Sequence, residues 1–229
     1  MKGDDDSISR RDLLKRAGAV AFVPVGALVS VVRPFQSRDA FAKEPLETLT
    51  AAEAETLEAV CARLIPTDAN GPGATEARAA HYIDRALGGA LASSRQTYTS
   101  GLAALDRYSR SSRGKAFTEL SATDQDSVLI DVETGAATGF TGSSAAFFAL
   151  VLNHTHQGTF GDPYYGGNAN FIGWDLIGYP GIRTMVTAAD QKSLEAHTLK
   201  ANHKSAYDYE SFTKATARLS RRNPDEREA

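Results

Sequence analysis

Two histidines and one aspartate are the residues of this sequence whose types suit a metal site. His154, His156 and Asp162 lie in one short stretch, and imidazole nitrogen with carboxylate oxygen is a common ligand set for zinc. On a helix, positions two apart point roughly 200° away from each other, so these histidines cannot share an ion as histidines four apart do. One of them could still pair with Asp162 if the helix has ended by then. A metal-dependent enzyme is one hypothesis, and a hydrogen-bonded or capping histidine is its alternative.

The sequence lacks the motifs of the common cofactor and nucleophile sites. It has neither the G-x-G-x-x-G turn of dinucleotide-binding folds nor the G-K-[ST] end of a phosphate-binding loop, and it has no G-x-S-x-G nucleophile elbow. Cys61 is the only cysteine, which excludes an internal disulfide and a C-x-x-C-H haem attachment. Cys61 lies in a helical apolar series, which predicts a buried, unreactive thiol. We therefore expect no cofactor in this chain.

The charge balance excludes a further class of function. The chain carries a formal net charge of −3 at pH 7, whereas a protein that binds nucleic acid needs a basic face for the phosphates. Nucleic acid and anionic membrane surfaces are therefore poor candidates for partners. The last residues, 220–229, are mostly charged and predict a solvated tail.

Residues 1–42 have the features of an export signal. Arg10 and Arg11 form a twin-arginine pair before an apolar run, and Ala40 with Ala42 makes a small-x-small cleavage site. The pattern predicts a signal that the twin-arginine translocase recognises and that is cut after Ala42, and hence a periplasmic or otherwise exported protein. A retained membrane anchor is the less favoured alternative, because the apolar run is shorter than the roughly 20 residues that span a bilayer.

Helical periodicity dominates the remaining chain, residues 43–219. No sustained alternation with β-branched enrichment competes with it, so the fold is predicted to be all-α, as a single helical domain. Thr50 and Glu53 form a capping box at the start of the first helix, and Gly158 is expected to cap the end of the fifth. The predicted helices are 50–64, 76–87, 95–109, 121–132, 144–156 and 187–200.

Residues 158–181 are the most unusual part of the sequence, and we call them the Gly/aromatic segment. Seven of these residues are glycines and six are aromatic. Glycine allows close backbone approach, and ordered rings supply contact area. Long loops without regular structure are usually functional. We predict that the segment is rigid and holds a partner; the alternatives are rings that pack the domain's own core and rings that stack on a bound sugar.

Several short motifs, in order and spacing, carry a family resemblance. They are Leu64-Ile65-Pro66-Thr67, Gly71-Pro72-Gly73-Ala74, Tyr82-Ile83-Asp84, Leu102-Ala103-Ala104-Leu105-Asp106, Phe117-Thr118-Glu119-Leu120-Ser121, Phe147-Phe148, Asp162-Pro163-Tyr164-Tyr165-Gly166-Gly167-Asn168, Gly173-Trp174 and Gly178-Tyr179-Pro180-Gly181. With the export signal before them, they resemble the gluconate 2-dehydrogenase subunit 3 family, the small subunit of membrane-associated flavin dehydrogenases. The resemblance covers roughly residues 46–181.

This resemblance implies a non-catalytic subunit of an oxidoreductase complex. In such a complex the small chain binds a large FAD-containing subunit of the glucose-methanol-choline type. It supplies the twin-arginine signal for the pair and supports maturation of the large subunit. A c-type cytochrome subunit often takes the electrons. FAD is accordingly expected in the partner rather than in this chain.

The resemblance also implies roles within the Gly/aromatic segment. Residues 165–168 would form a tight turn in which the Asn168 side chain bonds backbone groups, and residues 178–181 would close the segment. The residues expected to contact the partner are Phe160, Asp162, Tyr164, Tyr165, Gly166, Gly167, Asn168, Phe171, Trp174, Tyr179 and Pro180.

Overall fold

Helices make up the regular structure of the described chain. The computed structural model describes residues 45–212, and within them the only strand-like pairing is an isolated bridge between Asp68 and Gly71. The predicted all-α fold is confirmed. Among these described helices, none is both long enough and apolar enough to cross a membrane.

The predictions made for the two ends of the chain lie outside the described residues. They are the twin-arginine pair Arg10 and Arg11, the cleavage site at Ala40 and Ala42, and the charged tail 220–229. Residues 45–212 all belong to one compact unit.

Seven α-helices follow one another in residues 45–209, and residues 210–212 are also helical. The seven are α1 (Ala51–Leu64), α2 (Ala79–Leu87), α3 (Arg95–Arg113), α4 (Ala122–Glu133), α5 (Ser144–Phe160), α6 (Ile172–Leu176) and α7 (Ala188–Glu195). Single 3₁₀ turns lie between or after them at Ala92–Ser94, Phe117–Glu119, Pro163–Tyr165, Ala169–Phe171 and Ala206–Asp208.

The predicted capping box opens α1. Thr50 Oγ1 accepts a hydrogen bond from the Glu53 backbone N–H at 3.3 Å, and Glu53 Oε2 accepts one from the Thr50 N–H at 2.8 Å. Arg95, the first residue of α3, pairs with the same carboxylate at 2.9 Å. Partial burial raises the pKa of Glu53, but the hydrogen bonds from Arg95 and Thr50 outweigh it and lower that pKa to about 2. The cap therefore also ties the start of α3 to the start of α1.

The first five helices pack around one apolar core. Its largest wholly buried apolar side chains are Leu57, Ile83, Leu87, Tyr98, Leu105, Phe117, Val128, Val132 and Val151. Cys61 lies among them, 1% exposed, with its Sγ 3.4 Å from Thr155 Oγ1. Burial raises the pKa of this thiol to about 12, as expected for a buried cysteine that does not react.

A buried carboxylate fixes the residues that precede α1. Asp84 of α2 is 1% exposed and accepts backbone N–H groups from Glu47 at 2.7 Å, Thr48 at 3.0 Å and Leu49 at 2.6 Å. Hydrogen bonds to an ionised acceptor are stronger than neutral ones. Asp84 therefore holds three consecutive residues against α2.

The beginning of α2 and the end of α3 differ from the predicted positions. α2 begins at Ala79, three residues later than predicted, because the Ala79 N–H bonds the carbonyl of Ala74 at 2.9 Å and Arg78 adopts a left-handed conformation with φ 61°. α3 continues four residues past its prediction to Arg113. It stops at Gly114, whose φ of 78° makes the left-handed cap that glycine favours.

α7 ends at Glu195, five residues before its predicted end. The His197 N–H bonds the Leu194 carbonyl at 3.0 Å, and the Thr198 N–H bonds the Ser193 carbonyl at 2.8 Å. With His197 at φ 54°, these bonds form a Schellman motif, which closes a helix. A histidine occupies the position where glycine is the usual signal, so the sequence did not reveal this end.

The prediction that Gly158 caps α5 is wrong. α5 continues to Phe160, and the Gly161 N–H closes it on the Gln157 carbonyl at 2.8 Å. Gly158 is buried inside the helix where α5 meets α2, and a Cβ there would lie 2.8 Å from the Cα of Ala79. The glycine thus serves close packing of two helices rather than a turn.

Candidate functional site

The Gly/aromatic segment is largely regular, contrary to the loop predicted for it. It begins in the last turn of α5, passes through the 3₁₀ turns Pro163–Tyr165 and Ala169–Phe171, and continues into α6. Tight turns hold its backbone close to α5. The predicted rigidity therefore has a structural basis in consecutive turns.

Asn168 organises the centre of the segment. This residue is fully buried, and its backbone N–H donates to the Gly158 carbonyl at 2.6 Å. Its side-chain Nδ2 donates to the Gly161 carbonyl at 2.8 Å, while its Oδ1 accepts the Gly173 N–H at 2.7 Å. The predicted role of this side chain, to satisfy backbone groups in the turn, is confirmed.

Backbone packs on backbone beside Asn168. A Cβ added to Gly167 would overlap the carbonyl oxygen of Gly158, which itself accepts the Asn168 N–H. Buried backbone of this kind has little room to shift. Gly167 is therefore a close-approach position within the domain, and it has no side chain to offer to a partner.

Three residues without glycine's freedom adopt left-handed conformations in this region. They are Asn168, Asn170 and Phe171, with φ of 44°, 56° and 62°. Asparagine tolerates this region, but a bulky phenylalanine does so only at a cost. Such strain persists where surrounding structure enforces it and is common at functional sites.

The one tryptophan of the chain packs inward. Trp174 is 4% exposed, and its Nε1–H donates to the Phe160 carbonyl at 2.9 Å. Its ring meets Tyr179 edge-on at 4.8 Å between centroids and Phe171 at 5.3 Å. Trp174, Gly167 and Asn168, which are among the residues expected to contact a partner, are all buried in the chain by itself, where they brace the segment from within.

Tyr164 and Tyr165 are the predicted rings that reach the surface. Tyr164 is 51% exposed and Tyr165 is 49% exposed, and the two rings meet edge-on at 5.3 Å. Tyr207, from beyond the segment, stacks on Tyr164 at 3.7 Å, and its hydroxyl lies 2.7 Å from that of Tyr165. This hydrogen bond raises the pKa of Tyr165 to about 12.

Tyr207 was missed from the sequence. It lies 42 residues from Tyr165 along the chain, and nothing in its own surroundings points to the segment. The pattern Ser205-x-x-Asp208 is the signal that could have located an ordered turn here. Ser205 Oγ accepts the Tyr207 N–H at 3.0 Å, and Asp208 accepts the Ser205 N–H at 2.8 Å.

The other predicted residues surround the tyrosines at intermediate exposure. Asp162 caps the 3₁₀ turn through the Tyr164 N–H at 3.0 Å. The Gly166 carbonyl lies 3.1 Å from His81 Nδ1 on α2. Phe160, Phe171, Tyr179 and Pro180 are partly buried beside the buried tryptophan. The accessible part of the predicted site is thus centred on Tyr164 and Tyr165.

The histidines suggested for a metal are not brought together. His154 is 4% exposed, and its Nδ1 lies 3.0 Å from the hydroxyl of the buried Tyr98. His156 is exposed beside Phe160. Within residues 45–212, no group of three or more histidine, cysteine, aspartate or glutamate side chains is placed to hold a metal. His154 is therefore a hydrogen-bonded histidine, which was the alternative to a metal ligand.

The buried histidine predicts a pH-dependent stability. Burial lowers the pKa of His154 below its ordinary value of 6.5, so in mildly acidic solution the unfolded chain binds more protons than the folded one. Its contribution is complete above pH 6.5 and is lost as the pH falls. We expect urea unfolding at about pH 5.5 to show a lower free energy than at about pH 7.5, and a smaller drop in His154→Gln.

The exposed neighbour supplies the control for this experiment. His156→Gln should show the same drop as the unaltered chain, because this side chain is exposed in the folded state. Equal drops in the two variants would show that His154 does not contribute.

Comparison with known proteins supports the resemblance noted in the sequence. A family model described as gluconate 2-dehydrogenase subunit 3 matches residues 51–181, from the first residue of α1 to the last residue of the Gly/aromatic segment. Curated proteins and solved structures gave no match. The family match spans more than half of the sequence, and the chain belongs to the gluconate 2-dehydrogenase subunit 3 family.

Proposed function

We propose that this chain is the non-catalytic small subunit of a periplasmic dehydrogenase complex and that it binds the large subunit through Tyr164 and Tyr165. Membership in the family makes it an accessory subunit of a dehydrogenase complex. In the proposed complex, the large subunit is of the glucose-methanol-choline type and holds FAD and the reacting groups. A c-type cytochrome subunit receives the electrons.

The observation that carries this proposal is a pair of surface tyrosines on an internally braced segment. Tyrosine offers a large amphipathic contact at a low entropy cost, and such rings are enriched at protein interfaces. The backbone beneath Tyr164 and Tyr165 is held by the bonds of Asn168 and by the close contact at Gly167. A surface that is ordered before binding loses less freedom when a partner docks.

The sequence before residue 43 supports a role in export. Arg10 and Arg11 supply the twin-arginine signal, and that route carries proteins that have already folded. A flavoprotein that has bound its cofactor in the cytoplasm and has no signal of its own can cross on this one. Docking through the tyrosines then has to occur before translocation.

Co-expression tests the proposal directly. The large FAD-containing subunit is produced with this chain, without it, and with the Arg10→Lys/Arg11→Lys variant, and its periplasmic amount, flavin content and dehydrogenase activity are measured. Without the chain, we expect the periplasmic amount, the flavin content and the activity of the large subunit all to fall sharply. With the variant, we expect the large subunit to stay in the cytoplasm but to keep its flavin and its activity there. If all three are unchanged without the chain, the proposal is rejected. Saturable sugar binding or bound metal in the isolated chain would favour a binding module or an enzyme instead.

Surface variants test the assigned interface. We expect Tyr164→Ser/Tyr165→Ser to weaken co-purification with the large subunit by about tenfold or more, because aromatic anchors dominate interface energies. The control is Ile130→Ser, at an apolar side chain of α4 that is 56% exposed. Binding is measured by titration and folding by thermal melting. Equal affinities for the two variants would place the interface elsewhere.

A further inference from the structure

A part of the chain that follows α7 lies across the Gly/aromatic segment. We call residues 199–209 the strap. The strap follows the family-matched range, which ends at residue 181, and Ser205 is its one buried residue. It therefore adds little to the core of the domain, and it contacts the surface described above.

One end of the strap covers the tyrosines. The ring of Tyr207 stacks on Tyr164 at 3.7 Å, and its hydroxyl lies 2.7 Å from that of Tyr165. The next contact is backbone, since the Ala206 N–H donates to Asp162 Oδ2 at 3.0 Å. The face of Tyr164 that would meet a partner is thus already occupied by a ring of the same chain.

The other end of the strap covers the remainder of the segment. The His203 ring stacks on Phe171 at 5.2 Å between centroids, and its Nε2 lies 2.7 Å from Asp175 Oδ1. Asn202 donates from its backbone N–H to the Pro180 carbonyl at 3.2 Å and from Nδ2 to the Ile182 carbonyl at 2.7 Å. These contacts of His203 and Asn202 are all made with the segment or with Ile182, the residue that follows it.

These contacts hold the strap less firmly than core packing holds the helices. The His203–Asp175 and Tyr165–Tyr207 contacts are exposed to solvent, and His203 has φ 47°, a left-handed conformation that a histidine adopts at a cost. Segments with few buried apolar contacts open more readily than cores do. The strap can therefore leave the segment while the domain stays folded.

We propose that the strap is an intramolecular cover that competes with the large dehydrogenase subunit for the Gly/aromatic segment and is displaced when the complex forms. This inference rests on the function proposed above. Only subunits with an open strap are competent to bind, so the apparent affinity for the large subunit falls in proportion to the open fraction. The cover also shields exposed rings that would otherwise promote self-association of the free subunit.

Hydrogen exchange distinguishes a cover from an added part of the interface. The full chain is measured alone and in complex with the large FAD-containing subunit. We expect residues 199–209 to exchange faster in the complex, while residues 162–176 exchange more slowly. Slower exchange of the strap in the complex would overturn the proposal, because the strap would then be part of the interface. Failure of any complex to form would instead contradict the proposed function itself.

A variant that leaves every ring of the segment in place gives the second test. Asn202→Ala/His203→Ala removes the side-chain bonds from Asn202 to the Ile182 carbonyl and from His203 to Asp175, together with the stacking of His203 on Phe171, but keeps Tyr164 and Tyr165. We expect faster strap exchange in the isolated chain and about fivefold tighter binding of the large subunit. The control is Leu194→Ala, which alters an exposed side chain of α7 outside the strap and should change neither. Unchanged strap exchange, or binding that is unchanged or weaker, would overturn the proposal.

Discussion

Replacing Asp84 by alanine is expected to lower the free energy of unfolding by about 3–5 kcal/mol. The carboxylate is 1% exposed and accepts the backbone N–H groups of Glu47, Thr48 and Leu49 at 2.6–3.0 Å. Its removal leaves three donors without their acceptor, and each such loss costs about 1–3 kcal/mol where water cannot replace it fully. The effect is large because one side chain serves three consecutive residues.

Urea unfolding of matched variants measures this contribution. Asp84→Asn keeps the shape and one acceptor oxygen, so we expect a loss intermediate between the unaltered chain and Asp84→Ala. Glu55→Ala removes an exposed carboxylate of α1 and should change the stability by no more than about 0.5 kcal/mol. If Asp84→Ala lowers the free energy of unfolding no more than Glu55→Ala does, then the three hydrogen bonds do not stabilise the position of residues 47–49.

Gly167→Ala is expected to destabilise the domain by about 2–4 kcal/mol and to loosen the Gly/aromatic segment. The added Cβ would overlap the carbonyl oxygen of Gly158, and that oxygen is already bonded to the Asn168 N–H at 2.6 Å. Because both sides of the contact are buried backbone, relief requires residues 167–173 to move away from α5. The surface tyrosines lose their support in that movement.

The single tryptophan reports this movement. Trp174 is buried, so release of the segment should shift its fluorescence to longer wavelength and lower the melting temperature. Gly89→Ala is the matched control, since a Cβ there meets nothing within 4 Å, and it should leave both signals unchanged. A Gly167→Ala chain with the melting temperature and emission of Gly89→Ala would contradict the assigned packing.

The beginnings of α1, α4 and α7 could be predicted because their signals are local. Thr50 and Glu53 form the expected capping box, and Thr187 with Asp190 forms another. Ser121 accepts the Asp124 N–H at the start of α4. In each case the bonded residues are three apart in sequence, so the pattern contains the whole interaction.

The ends of α5 and α7 were harder to predict, because the first depends on packing across the fold and the second uses a residue type that is unusual at this position. Glycine is the usual residue at the C-terminal cap of a helix, yet Gly158 lies inside α5, where Ala79 packs against it. His197 closes α7 in a conformation that glycine usually supplies. The residue type shows which backbone conformations are possible at a position. At Gly158, the neighbouring helix decides which of them forms.

The candidate site could be predicted only where its contacts are local in sequence. The role of Asn168 follows from its own turn, where its side chain bonds Gly161 and Gly173. The burial of Trp174 depends on Phe160 and Tyr179 together. The stack of Tyr207 on Tyr164 depends on how the chain returns after α7, which periodicity does not specify.

Helix α2 joins two parts of the domain that are far apart in sequence. Asp84 on this nine-residue helix holds residues 47–49, and His81, one turn earlier, contacts the Gly166 carbonyl at 3.1 Å. We therefore expect these two regions to open and close as one cooperative unit. A chain in which Asp84 holds residues 47–49 should therefore also have Tyr164 and Tyr165 in place for the proposed contact with the large subunit.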